Sequence, residues 1–248
     1  MRENLIEVRN LRFAYQGKPV LKGISFDVAT GDTLSILGAN GSGKSTLLRI
    51  MIGFLKFEGE VLIGGKSVRD YGKKGLASLV AYVPQTHAPS YDYSVFDVAL
   101  IGALCRMPLF SSFSAADKKL AEQALEKMGI AHLKNAPYTK VSGGERQLAY
   151  IARTLVQGAK VIFMDEPTNG LDFGNQIRLL EMIKALGDEG YTFVQTTHYP
   201  RHAKFVSNLT LFIKDGEILA FGRSEQLINA ENIDKIYGIN YERYEDRL

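Results

Sequence analysis

The chain carries a single cysteine in 248 residues, Cys105, which excludes an internal disulfide and any cysteine-built metal site. That usage suits a reducing compartment, and Cys105 reads as a small buried hydrophobe. No apolar run approaches the roughly 20 residues needed to cross a bilayer. The segment Met1-Arg2-Glu3-Asn4-Leu5-Ile6-Glu7 lacks the apolar core of a signal peptide. Any membrane role is therefore expected to pass through another chain. Charge of one sign is also scarce: 30 Lys and Arg face 27 Asp and Glu, and a net +3 is too small to call for nucleic acid or anionic lipid. Internal repeats and low-complexity tracts are missing. What is present, a chain of 248 residues that is 46% apolar, can bury one sizeable core with a smaller lobe.

The most informative stretch is Gly38-Ala39-Asn40-Gly41-Ser42-Gly43-Lys44-Ser45-Thr46. Its glycine spacing, ending in Lys-Ser, builds a phosphate cradle when it lies between a buried strand and a helix. The flanks meet that condition: Thr33 to Leu37 is a short, mostly apolar run, and Ser45 to Ile52 has helical character up to Gly53. Gly41 and Gly43 free the backbone so that several N–H groups converge on phosphate oxygens at the positive end of the helix. Lys44 would neutralise the β- and γ-phosphates, and Ser45 would offer a hard oxygen to Mg2+. The guanine-reading Asn-Lys-x-Asp tetrapeptide is absent, which favours ATP.

Around this motif the pattern alternates. Leu5, Val8, Leu11 and Phe13, then Ile24, Phe26 and Val28, predict antiparallel strands, with turns at Gln16 to Pro19 and Thr30 to Asp32. Gly59 to Gly65 and Leu79 to Val83 read as strands, the second stopped by Pro84. Val95 to Leu104 and Ala115 to Met128 then carry helical spacing, the latter capped by Ser114 with Asp117 three residues on. Strand and helix alternate again from Val161: strands at Val161 to Met164 and Tyr191 to Thr196, helices at Gln176 to Leu186 and after Pro200. Asp215-Gly216 joins Leu209–Lys214 to Glu217–Phe221 as a hairpin, and the tail has room for a helix or two. The expected class is α/β: a mostly parallel sheet, an antiparallel β layer and an inserted α-helical lobe.

Three further constellations bear chemistry. Val141-Ser142-Gly143-Gly144-Glu145-Arg146-Gln147 precedes a helix with Leu148, Ile151, Ala152, Leu155 and Val156 on its inner face, a second anion receptor at a helix N-terminus. A head-to-tail pair of chains would let each such turn cover the nucleotide held by the other. Val161 to Met164 leads into Asp165 and Glu166 at the strand end where open parallel sheets bind ligands. Asp165 would hold Mg2+, and Glu166 would polarise the attacking water. His198 ends the next strand and can contact the γ-phosphate, whereas His87, His132 and His202 have no comparable setting. Gln85, at another strand end, could touch the metal or the water, and Tyr15 could stack on a purine.

Taken together, the segments resemble the nucleotide-binding subunit of ATP-binding cassette (ABC) transporters over essentially the whole chain. The family's aromatic loop falls on Tyr15, its Walker A on Gly38 to Thr46, its glutamine loop on Gln85 and its signature on Ser142 to Gln147. Its Walker B falls on Val161 to Glu166, its aspartate loop on Asp172 and its switch histidine on His198. Val141 stands where leucine is usual and Glu145 where glutamine is commoner. The resemblance implies a P-loop NTPase core of residues 1–85 and 158–248 with a helical subdomain at 86–157, in one ABC ATPase domain. It also implies ATP and Mg2+ as ligands, a homodimer that sandwiches ATP, and a place on the cytoplasmic face of a membrane. The partners implied are transmembrane permeases and, indirectly, a substrate-binding protein. Ser142 to Leu148 and Ser94 to Gly102 look most like importers of iron chelates, haem, cobalamin or oxyanions such as molybdate. An exporter ATPase and a non-transport cassette ATPase stand as the alternatives.

Overall fold

The computed structural model describes residues 3–85, 93–108 and 111–239. The chain divides into two compact units, residues 1–71 with 183–248, and residues 72–182.

The first unit opens with β1 (Asn4–Tyr15), β2 (Lys18–Ala29), β3 (Thr33–Leu37), α1 (Lys44–Met51), β4 (Glu58–Ile63) and β5 (Lys66–Ser67). Strands β2-β1-β4-β5 form an antiparallel sheet, the layer expected from alternation. The buried set in β1 is Ile6, Val8 and Leu11, so the spacing slips from two to three and Leu5 is only half-buried. The cause is a bulge: Asn10 adopts φ 44°, and the pairing register shifts between Val8 and Leu11. Gly59 makes room for it, since a Cβ there would lie 2.4 Å from the Asn10 carbonyl oxygen. Between β1 and β2, Gln16 and Gly17 both have positive φ, the two-residue turn that suits twisted hairpins.

The second unit contributes α2 (Lys73–Leu79), β6 (Val80–Val83), α3 (Val95–Leu100), α4 (Ala115–Lys127), α5 (Gly143–Gln157) and β7 (Val161–Asp165). Helix α6 (Phe173–Asp188) begins in this unit and runs past the division. Strands β6 and β7 pair in parallel, Val80 opposite Val161 through Val83 opposite Met164. Helices α3, α4 and α5 bury Val95, Val98, Ala121, Leu125, Ile151 and Ala152. Capping boxes at Ser94/Asp97 and Ser114/Asp117 start α3 and α4. The helix expected through Leu104 is α-helical only to Leu100 and tightens to a 3-10 turn over Ile101–Cys105. There Gly102 lies against the α5 backbone, where a Cβ would sit 2.2 Å from the Arg153 carbonyl oxygen. Burial on α5 is also wider than its apolar stripe, taking in Gln147, Ala149 and Thr154 while Leu148 and Leu155 are half-buried.

Residues 183–248 return to the first unit with β8 (Thr192–Thr197), α7 (Pro200–Val206), β9 (Leu209–Lys214), β10 (Glu217–Arg223), α8 (Ser224–Leu227) and α9 (Ala230–Tyr237). Strand β3 runs parallel to both β8 and β9, and β9–β10 is the expected hairpin, with Asp215 at φ 50° and Gly216 at φ 81°. Every residue of β3 and β8 is buried. The tail is anchored: Ile228, Ile233 and Ile236 pack with Leu37, Ala203 and Phe212. The architecture is the expected α/β one, with parallel strands, an antiparallel layer and a helical insertion. Among the described residues, no helix is long and apolar enough to cross a membrane.

Candidate functional site

The phosphate loop of the first unit lies between β3 and α1, the strand-to-helix setting that the spacing requires. Gly41 and Gly43 have φ of 80° and 105°, a region open to glycine and strained for other residues. Gly38 is forced by space, since a Cβ would meet the Ile213 carbonyl oxygen at 2.4 Å and Ser42 Oγ at 2.6 Å. Lys44 is only 5% exposed, and its Nζ donates to the carbonyls of Gly38 and Ala39 at 2.8 and 3.1 Å. The Ser42 hydroxyl is buried without a hydrogen-bond partner. A buried hydroxyl with nothing to bond is costly and points to a polar ligand. Glycine-shaped backbone, a buried ammonium and an orphan hydroxyl together fit a polyphosphate. Asn40 is exposed at the loop tip, while Ser45 and Thr46 start α1 half-buried.

Two other predicted residues belong to this unit. Tyr15 ends β1 with 43% of its surface exposed and its ring edge-on to Phe13, centroids 4.6 Å apart. His198 follows β8, half-buried, with its ring centroid 3.9 Å from that of Tyr199.

The carboxylates belong to the second unit. Asp165 closes β7 and is 2% exposed. Glu166 turns sharply out of the strand at φ 47°, a conformation that costs a non-glycine residue energy and recurs at functional sites. Its carboxylate accepts from Gln85 Nε2 at 3.2 Å and from Asn169 Nδ2 at 3.4 Å, while its carbonyl accepts the Asn169 N–H at 3.0 Å. Gln85 and Glu166, 81 residues apart, are therefore brought together. Asn169 escaped sequence reasoning, although its place three residues after Glu166 in a Pro-Thr-Asn-Gly turn was a readable signal.

At the signature, Ser142 is the N-cap of α5, its Oγ accepting from the Glu145 N–H at 3.3 Å. Glu145 reaches back to accept the Ser142 N–H at 2.7 Å, and that hydrogen bond, with the serine hydroxyl, holds its carboxyl below the usual range. Gly144 permits a close approach to α6, since a Cβ would sit 2.7 Å from the Asn175 side chain. Gly143 faces Leu171. Asp172 accepts the Asn175 N–H at 3.0 Å and its side-chain amide at 2.6 Å, bonds that lower its pKa. The signature turn and the aspartate loop thus share one corner of the unit. Of the histidines without an assigned role, His87 lies outside the described residues, and His202 makes a tilted ring contact with Tyr199.

Comparison with known proteins identifies the family. Residues 21–169 match the ABC transporter family. An uncharacterized ABC transporter ATP-binding protein of Haemophilus influenzae is 38% identical over 234 residues, covering 94% of this chain and 89% of that protein. The molybdate import ATP-binding protein MolC of the same organism is 33% identical, over 94% of this chain and 87% of its own length. A solved chain of a metal-chelate type ABC transporter, in an inward-facing conformation, superposes with a TM-score of 0.86 at 32% identity, covering 96% of this chain and 90% of the other. The phosphate loop at Gly38–Thr46, the Ser142 turn, the Asp165-Glu166 pair and His198, in that order, together with these matches, lead to one conclusion: the chain is an ATP-binding ATPase domain of the ABC transporter family.

Proposed function

We propose that this chain is the ATP-hydrolysing subunit of an ABC importer, working as a head-to-tail homodimer under a transmembrane permease. The observation that carries the hydrolytic reading is Glu166, strained at φ 47° and bridged by Gln85 directly after a buried aspartate. Strain of this kind persists only when the surroundings hold it, and here it aims a carboxylate out of the strand end.

In this reading Tyr15 receives the base, and the N–H groups of Gly38 to Thr46 with Lys44 bind the phosphates. Asn40 and Ser42 complete the loop. Mg2+, which supplies charge neutralisation at the transferring phosphate, would be held by Ser45, Asp165 and Gln85. Glu166 accepts a proton from the attacking water and orients it, and His198 donates to the γ-phosphate. Ser142, Gly143, Gly144 and Glu145 of a second copy close the phosphate shell, with Asp172 at the same interface. Preorganised donors are worth about 3 kcal/mol each toward developing charge, so an open subunit lacking them should hydrolyse ATP slowly.

Residues 86–157 are proposed as the helical subdomain that passes closure to the permease, within one ABC ATPase domain at the cytoplasmic face of the membrane. Cargo would arrive through a substrate-binding protein. Likeness to a molybdate importer subunit and to a metal-chelate transporter supports an oxyanion, or an iron chelate, haem or cobalamin, as cargo. The test is Glu166→Gln, which should keep ATP affinity and lower phosphate release by two orders of magnitude or more; undiminished turnover would remove Glu166 from its role.

A further inference from the structure

His198 sits just past the end of β8, before α7 begins at Pro200, a connecting position where a side chain is ordinarily free to swing. Here the segment is held from two sides. The Tyr199 ring packs against two imidazoles in tilted contacts: its centroid is 3.9 Å from His198, with planes at 41°, and 4.7 Å from His202, with planes at 43°. His202 lies in the first turn of α7, which starts directly after Tyr199. The Tyr199 N–H donates to Thr197 Oγ1 at 3.1 Å, fixing the turn that presents both rings. From the far end of the chain, the Tyr237 hydroxyl donates to the His198 carbonyl oxygen at 3.2 Å. Tyr237 is the last residue of α9, whose Ile233 and Ile236 are seated in the core with Leu37, the final residue of β3. The hydroxyl is thus delivered by an anchored helix.

We propose that His202 and Tyr237 are positioning residues for His198, the first fixing its ring through the Tyr199 stack and the second fixing its backbone. The proposal rests on the reading of His198 as the γ-phosphate contact. A donor to a developing charge must be held within about 0.5 Å of its productive place, and a misplacement of 1 Å can cost 100-fold in rate. Burial, with His198 beside it, lowers the His202 pKa and favours the neutral imidazole, which packs against the phenol ring. Neither residue touches the nucleotide loop in this account. Their effect passes through His198 alone, and that distinguishes positioning from general packing.

The experiment measures ATPase kinetics of the full chain with its permease, each variant first checked for cooperative melting. Tyr237→Phe, which deletes one hydroxyl, and His202→Ala should each lower kcat about 3- to 10-fold, the worth of one hydrogen bond or one ring stack. KM for ATP should stay within about twofold, and His202→Phe, which keeps a stacking ring, should recover most of the loss. In a His198→Ala background under single-turnover conditions, neither substitution should slow the reaction further. Full-speed Tyr237→Phe and His202→Ala, or the same fractional loss with and without His198, overturns the proposal while leaving the role of His198 intact. Unchanged turnover in His198→Ala overturns that role, and the proposal with it.

Discussion

Lys44 is 5% exposed and holds its ammonium on the carbonyls of Gly38 and Ala39, so the loop carries its own buried cation before any phosphate arrives. A cation already desolvated and aimed gains more from an anionic ligand than one that must leave water. Lys44→Ala should therefore weaken ATP binding itself by more than about tenfold in calorimetry, and an unchanged Kd would contradict the cradle. His202 gives a pH-dependent test. Its folded pKa lies below the ordinary 6.5, so the unfolded chain takes up the proton first. The stabilisation is complete above 6.5 and is lost as pH falls below it toward the lowered folded value. The melting-temperature difference between wild type and His202→Phe should accordingly turn against wild type between pH 7.5 and 5.5; a constant difference would show that His202 does not titrate with folding. Lys44 was legible in the sequence because a phosphate loop is a local pattern, complete within nine residues. His202 and Tyr237 were not, because ring contacts made through Tyr199 and a hydroxyl arriving from 39 residues away leave no spacing to read.

Elements announce themselves when their burial is regular. Strands β3 and β7 are buried at every residue and stood out as short, mostly apolar runs before the structure. Helix α4 declared itself through Ser114 and Asp117, whose capping box forms as expected. Helix α2 went unnoticed for the complementary reason: none of its residues is buried, so it has no apolar face. The β1 bulge was equally silent, since Asn10 at φ 44° breaks the alternation only in three dimensions. Gly59 carries the consequence. At φ 90°, with Asn10 and Arg9 carbonyl oxygens 2.4 and 2.6 Å from any Cβ, it admits no side chain unless the strand pair moves apart. Gly59→Ala should therefore lower stability by about 2 kcal/mol or more in denaturant unfolding, through overpacking and positive-φ strain together. A variant within about 0.5 kcal/mol of wild type would mean that the bulge relaxes freely.

At the scale of the whole molecule, two proposed receptors for phosphate stand in one chain, and of the two the loop before α1 carries a buried lysine. The turn before α5 is closed upon itself by the Ser142–Glu145 capping box. In the proposed dimer a second copy would give that turn its purpose, and closure on ATP would couple hydrolysis to a permease. The most direct measurement is light scattering of the Glu166→Gln chain, which should bind ATP without consuming it, with and without excess MgATP. The account predicts a shift from the protomer mass to twice that mass when nucleotide is added, reversed by a further Lys44→Ala substitution. A chain that binds ATP and keeps the protomer mass, alone and beside its permease, would contradict it.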